Sequence, residues 1–474
     1  QIQTDSGMEI TMADSQKGKI DMTTGHIMKN IILFAIPIII GNVLQQLYTT
    51  VDALVIGKYC GDTSLAAVGT SSQPVEVLLC VFLGIGTGVS ILISQYTGAR
   101  ESGKVVSVCG TSITLIYIVG IPIGILGWFA APYILEFMKV PQDVWNAALI
   151  YTRVVFLGTL GNLGYNMNAG ILRGLGDSKA SLWFLVVSCV SNIVFDLLFV
   201  AGFGMDVAGA ALSTSIAMFI SWIVSIVYIR KKFPEIQFTY LPRRFSGTMM
   251  KAILAIGLPV GLNNSLYSLG HVALQTFNNS QGAIFMAGGA VAGRITGCAN
   301  IAITGLSSAA TTFSGQNYGA KKYSRIKEGH WRIPLCSGLI TLSFGLLFIM
   351  IHKPIIRFFS SDEMVLMYAS RHVVVMLLSQ WFYAIFNCII SIVNGTGKVR
   401  YTTIVNILML WAVRIPSAYI ISRYFDGTWV MLCFPISFSF GMFAMIGYYL
   451  FSPAWKEVMR MAGKKQNEGE KNLA

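Results

Sequence analysis

The chain has 474 residues, 54% of them hydrophobic and only 12% charged. Soluble domains carry about 25% charged residues, so this composition excludes a soluble globular protein and specifies a polytopic membrane protein. The formal net charge of +13 does not indicate nucleic acid, because the basic residues fall between apolar runs and not on one soluble face.

Residues 1–29 are polar, and the first apolar run is too long for the core of a cleavable signal peptide. Apolar runs of helical length then recur at about 31–57, 64–95, 106–131, 145–171, 181–203 and 207–229. A second series falls at about 252–279, 283–313, 332–352, 365–393, 402–423 and 428–452. The reading is an all-α protein of twelve spans, six and six. A tail (1–29), a first lobe (30–230), a polar connection (231–250), a second lobe (251–453) and a second tail (454–474) divide the chain. Most Lys and Arg residues collect on the side holding both termini, in loops such as Arg100/Lys104, Arg173/Lys179 and Lys321 to Arg332. That bias predicts cytoplasmic termini.

The first span carries Pro37 and a polar stripe, Gln45, Tyr48 and Asp52, at i, i+3 and i+7 on one helix face. An acid inside a span costs at least ~2.5–3.5 kcal/mol and marks a functional candidate. The fifth span adds Asn192 and Asp196 one turn apart, the sixth Thr214 and the fourth Tyr151. Counting 1.5 Å per residue from each predicted span start places all of these in the outer half of the bilayer. Two buried carboxylates near one another resist simultaneous ionisation. Such a pair accepts a proton, or Na⁺ held with the oxygens of Asn192, Thr214 and Tyr151. Pro37 removes a backbone hydrogen bond and permits the first helix to bend.

The two halves repeat. Pro37 and Pro259 lead equivalent stretches; Gln95-Tyr-Thr-Gly-Ala-Arg100 is echoed by Gln316-Asn-Tyr-Gly-Ala-Lys321, and Arg173-Gly-Leu-Gly-Asp177 by Asn394-Gly-Thr-Gly-Lys398, at matching distances from the prolines. With an even number of spans per repeat, the bundles are expected to be related by a pseudo-two-fold axis along the membrane normal. The positions matching Asp52 and Asp196, near Ala273 and Ser417, carry no acid. Charge handling is thus expected in the first lobe alone.

Other features read more plainly. Gly84-x-Gly86-x-Gly88 lies in an apolar helix and signals close helix packing. Asn394-Gly-Thr-Gly-Lys398 lacks the remaining residues of a phosphate loop and follows a span, not a strand, which argues against ATP-driven transport. Arg294, mid-span, is expected to face the protein interior. His271 is read as a packed polar residue, and the eight scattered cysteines as small buried hydrophobes without disulfides or zinc. No catalytic motif of an intramembrane enzyme appears.

Taken together, Pro37…Gln45-x-x-Tyr48-x-x-x-Asp52, the loops at Gln95 and Gln316, the Arg173 turn, Asn192-x-x-x-Asp196 and Arg414-x-Pro416 resemble the MATE (multidrug and toxic compound extrusion) efflux transporters. The resemblance runs from about Thr24 to Met459. It implies a prokaryotic inner-membrane antiporter, a monomer without ATP or other cofactor, exporting amphipathic, often cationic compounds against H⁺ or Na⁺ by alternating access. By resemblance, Asp52, Asp196, Asn192, Thr214 and Tyr151 match coupling-ion positions, and Gln45 and Tyr48 match cavity positions. Where some members carry second-lobe acids, this chain has Tyr267 and Asn387. The alternatives are a flippase for lipid-linked oligosaccharides or other lipids, which shares the two-lobe plan, and a channel.

Overall fold

A computed structural model describes residues 19–471 except Lys139, Arg243 and Ser280. Among the described residues, eleven helices are long and apolar enough to cross a membrane, and a twelfth span is a bent pair. The first, α1 (Ile27–Tyr59), has 33 residues and runs unbroken through Pro37. At 1.5 Å per residue it is about 50 Å long, well beyond a ~30 Å hydrocarbon core. It is followed by α2 (Gly61–Gly98), α3 (Ser102–Phe137), α4 (Gln142–Leu157), α5 (Thr159–Leu175), α6 (Ser178–Asp196) and α7 (Asp206–Lys232). Then come α8 (Gly247–Asn279), α9 (Ala283–Gly319), α10 (Tyr323–Phe359), α11 (Glu363–Gly395), α12 (Val399–Ile407), α13 (Ile415–Tyr424), α14 (Cys433–Phe451) and α15 (Pro453–Lys471).

The chain packs into two compact units, one built on Ile36–Ser265 with the residues up to Asp21, the other on Met22–Ala35 with the residues from Leu266 onward. Two of the three divisions fall inside helices, α1 and α8, the third lies ahead of α1, and none falls in the polar connection after residue 230. Residues 1–18 of the amino-terminal tail lie outside the described residues.

In the first unit the glycine run of α2 is a packing device. A Cβ on Gly84 would sit 2.1 Å from the backbone of Gly261, and one on Gly88 2.8 Å from that of Gly257, both on α8. Gly86 turns instead to α5, where a Cβ on Gly170 would lie 2.6 Å from the Gly86 carbonyl oxygen. Only hydrogen at these positions lets the backbones approach so closely.

The fourth span, expected as one helix over 145–171, is two. Helices α4 and α5 meet at Gly158 with a 47° bend. A Cβ at Gly158 would fall 2.1 Å from the Ser215 hydroxyl of α7, so the close crossing there dictates glycine. At the other end of α5, Gly176 takes φ +95° and Asp177 caps α6 through the Ala180 N–H at 3.0 Å. Asp177 also accepts from the Tyr228 hydroxyl and the Lys232 ammonium, each at 2.8 Å. The connection after α7 is not a loose linker. Phe233, Ile236 and Phe238 are buried, and Tyr117 of α3 donates to the Tyr240 carbonyl at 2.9 Å.

The second unit repeats the turn at Gly397 (φ +84°), with Lys398 donating to the Ala454 carbonyl at 2.6 Å in place of the aspartate cap. Its Gln316-Asn317 pair, in the last turn of α9, holds the chain ahead of α1. Gln316 accepts from the Met22 N–H at 3.0 Å, Asn317 donates to the Met22 carbonyl at 2.9 Å, and Arg325 donates to the Gly25 carbonyl at 2.9 Å.

Three sequence expectations need correction. Arg294 is exposed and lies over the Phe359 ring at 5.8 Å, so it does not face the interior; its long stem lets the charge reach out along an aromatic face. His271 is also exposed, with its ring edge-on to Tyr267 at 4.8 Å. Of the cysteines only Cys109, Cys189, Cys388 and Cys433 are buried; Cys298 is exposed and the others are half-buried.

Candidate functional site

The first unit encloses a cavity of about 550 Å³. Its wall includes Pro37, Gln45 and Tyr48 of α1, Tyr151 of α4, Arg173 of α5 and Thr214 of α7. The helical stripe on α1 aims Gln45 and Tyr48 together, with their side chains within hydrogen-bonding reach. The break at Gly158 sits seven residues past Tyr151. It lets α4 bring that tyrosine toward α1 and α6 while α5 leans on α2.

Beyond this end of the cavity lie the acids. Asp52 and Asp196 come within side-chain hydrogen-bonding reach of one another. Tyr48 and Tyr151 both stand close enough to feel the charge on each. Asp196 is fully buried (0% exposed), and neither of its carboxylate oxygens accepts a well-formed hydrogen bond. Ser213 lies beside it, but that hydroxyl donates to the Gly209 carbonyl at 2.8 Å. Asp52 Oδ1 is likewise buried without a donor.

Asn192, one turn before Asp196, donates to the Thr214 hydroxyl at 3.2 Å. Its own amide oxygen is buried and receives nothing. Directly after Asp196 the helix widens into a π-turn, Leu197–Gly202. Such turns shift the register of the following side chains and are frequent at functional sites.

The structure therefore gathers Asp52, Asp196, Asn192, Thr214, Tyr151 and Tyr48 in one place, with Gln45 and Pro37 further along the cavity wall. Four buried oxygens without donors, from Asp52, Asp196 and Asn192, converge there. Buried acceptors left unmatched are costly, so this arrangement calls for a proton or a hard cation. Among the described residues no three His, Cys, Asp or Glu side chains cluster, so the ligand set is oxygen with at most two acids. Sequence reasoning missed Glu76, Asn162, Asn166 and the cavity role of Arg173. Asn162 and Asn166 lie one turn apart on α5 and are joined at 2.9 Å; that spacing was a legible signal.

The family profile for MatE matches this chain twice, over residues 37–198 and 259–420, each match beginning on one of the two leading prolines. The chain belongs to the MatE family. It is a MATE-type transporter, and the two matches are its internal repeat. It is similar to the probable multidrug resistance protein YoeA of Bacillus subtilis (28% identical, covering 90% of this chain and 95% of that one). It also resembles the probable multidrug resistance protein NorM of Thermotoga maritima (26% identical, covering 87% and 90%). Among solved structures it matches a MATE in complex with MaD3S at TM-score 0.82 (24% identical, covering 95% and 99%). An outward-facing multidrug resistance MATE family transporter of the MOP superfamily matches at TM-score 0.81 with the same identity and coverage. These likenesses carry the all-α, two-bundle MATE fold.

Proposed function

We propose that this MATE-type transporter exports amphipathic, often cationic small molecules in exchange for H⁺ or Na⁺. It works by alternating access as a monomer in the inner membrane, with both termini cytoplasmic and without ATP. The observation that carries the reading is the convergence of unmatched oxygens of Asp52, Asp196 and Asn192 at the end of a cavity large enough for a drug-sized ligand. Filled by a proton or Na⁺, the pair no longer repels itself and α1 and α6 can close together. Emptied, they repel one another and draw in water or a cationic substrate. Pro37, which lacks an N–H, is the place where α1 yields between the two states. The names given to the relatives, as multidrug resistance proteins, support the choice of substrate class.

A lipid-linked oligosaccharide flippase remains the alternative of the same superfamily. The charged groups lining the first-unit cavity are one glutamate, Glu76, and one arginine, Arg173, which is a poor match to a pyrophosphate.

The deciding experiment is dye efflux from vesicles under an imposed ΔpH or Na⁺ gradient, with wild type, Asp52→Asn and Asp196→Asn. Gradient-driven efflux should fall in both variants while dye binding persists. Undiminished efflux in both would remove the coupling assignment.

A further inference from the structure

The second unit carries a buried charge of opposite sign. Arg414 is fully buried (0% exposed) at the end of a π-turn, Leu408–Arg414, between α12 and α13. Its Nε donates to the Ser437 hydroxyl at 2.9 Å and its Nη1 to the Tyr267 hydroxyl at 3.4 Å. The rings of Phe434 and Phe438 cover the guanidinium at 4.9 Å each, and that of Tyr267 at 5.5 Å. Nη2 has no acceptor.

None of the second unit's acids answers this charge. Glu328, Asp362, Glu363, Asp426 and Glu457 sit at helix ends or in loops, Glu468 and Glu470 belong to the stretch after the last span, and among the described residues no Asp or Glu occupies the interior of a span there. Aromatic faces and two hydroxyls offset part of the cost of burying a guanidinium, but they supply no counter-charge. The family matches have equal length. By the register of the repeated turns, Gln95 with Gln316 and Gly176 with Gly397, Arg414 lies within one residue of the position matching Asn192, and Tyr267 within one of that matching Gln45. The place that gathers unmatched acceptors in one repeat holds an unmatched donor in the other.

We propose that the second unit binds a halide-sized inorganic anion at Arg414 Nη2, with the Tyr267–Tyr383 hydroxyl pair as a further donor. The Tyr267 oxygen already accepts from Arg414, and Tyr383 lies within side-chain hydrogen-bonding reach of Tyr267 and Asn387; a bond between the two hydroxyls uses one of their protons and leaves the other to give. The size follows from the surroundings. The guanidinium has no exposed surface and is covered by the rings of Phe434 and Phe438, so nothing larger than a bare ion can be admitted beside Nη2 without displacing a ring. His271, edge-on to Tyr267 and exposed, marks the side from which the ion arrives. This site is independent of the first-unit acids and of the coupling reading built on them.

The test is thermal unfolding of the purified full chain in detergent, in gluconate and with increasing chloride or bromide at constant ionic strength. Wild type should show a saturable rise in Tm with halide, and Arg332→Gln, which changes an exposed arginine, should show the same rise. Arg414→Gln should lose it. In case that variant does not fold, the Tyr267→Phe/Tyr383→Phe double variant keeps the charge and should weaken apparent halide affinity by at least about tenfold. Crystals soaked in bromide should show an anomalous peak beside Nη2. A wild-type Tm indifferent to halide, a halide response that survives Arg414→Gln, or a bromide-soaked crystal with no peak at Nη2 would each overturn the assignment.

Discussion

Asn192 donates its amide hydrogen to the Thr214 hydroxyl at 3.2 Å, tying α6 to α7 one turn before Asp196. That bond decides which way the amide faces, and its oxygen is left buried without a donor. Thr214→Val removes the acceptor and frees the amide to rotate. The expected result is a roughly 5-fold loss of apparent coupling-ion affinity, the worth of a hydrogen bond of ~1 kcal/mol, with little change in dye binding. Efflux rates titrated against Na⁺ and against pH check it.

Asp196 is the more deeply buried acid, so its replacement should cost more than that of Asp52. We expect Asp196→Asn to reduce gradient-driven efflux by about 5–150-fold, the usual span of a coupling free energy, with Asp52→Asn nearer the lower end. Because the two carboxylates face one another, the double variant should lose less than the product of the single losses. Efflux from vesicles measures all three.

A methyl group at Gly170 would meet the Gly86 carbonyl oxygen at 2.6 Å, which is backbone and cannot swing aside. Gly170→Ala should therefore destabilise the first unit by about 1–3 kcal/mol through overpacking. The drop should appear as a lower Tm in a thiol-reactive dye assay. Gly103→Ala, where nothing lies near the added carbon, should leave the Tm unchanged or slightly raised.

Asp177 is buried, caps α6 and holds the Lys232 ammonium at 2.8 Å. Asp177→Ala removes the cap and strands a half-buried cation, at a cost of about 3–5 kcal/mol. Adding Lys232→Met should restore part of that stability because the stranded charge is gone. Denaturation of the single and double variants compares them directly.

Asp426 lies outside the spans and accepts from the backbone N–H of Thr428 at 3.0 Å and from its hydroxyl at 2.8 Å. The Thr428 N–H and hydroxyl hold its carboxyl below the ordinary range. A depressed folded-state value means stability present above the unfolded pKa and lost as pH falls through the folded one. The Tm difference between wild type and Asp426→Ala should be full at neutral pH. It should shrink to that of the lost side chain alone in strong acid, as scans at several pH values will show.

Much of this was legible along the chain. Runs of apolar residues of membrane-crossing length, paired prolines at 37 and 259, and glycine turns at 176 and 397 are local features, and local chemistry sets them. The stripe Gln45, Tyr48, Asp52 was equally open to reading, because helix periodicity alone puts those side chains on one face.

What sequence could not deliver was which faces meet. The break at Gly158 depends on Ser215, 57 positions away in the chain, crossing too close for any side chain. Arg294 lies outward over Phe359, while Arg414 is sealed among the rings of Phe434 and Phe438; hydropathy places both mid-span and cannot separate them. The orphaned oxygens of Asp52, Asp196 and Asn192 are a property of three-dimensional packing, since only the neighbours brought in by folding determine whether a buried acceptor finds a donor. Composition and order determined the helices and their repeat; tertiary contact alone decided where charge was left uncompensated, because electrostatic cost inside a membrane is set by what surrounds a group and not by its place in the chain.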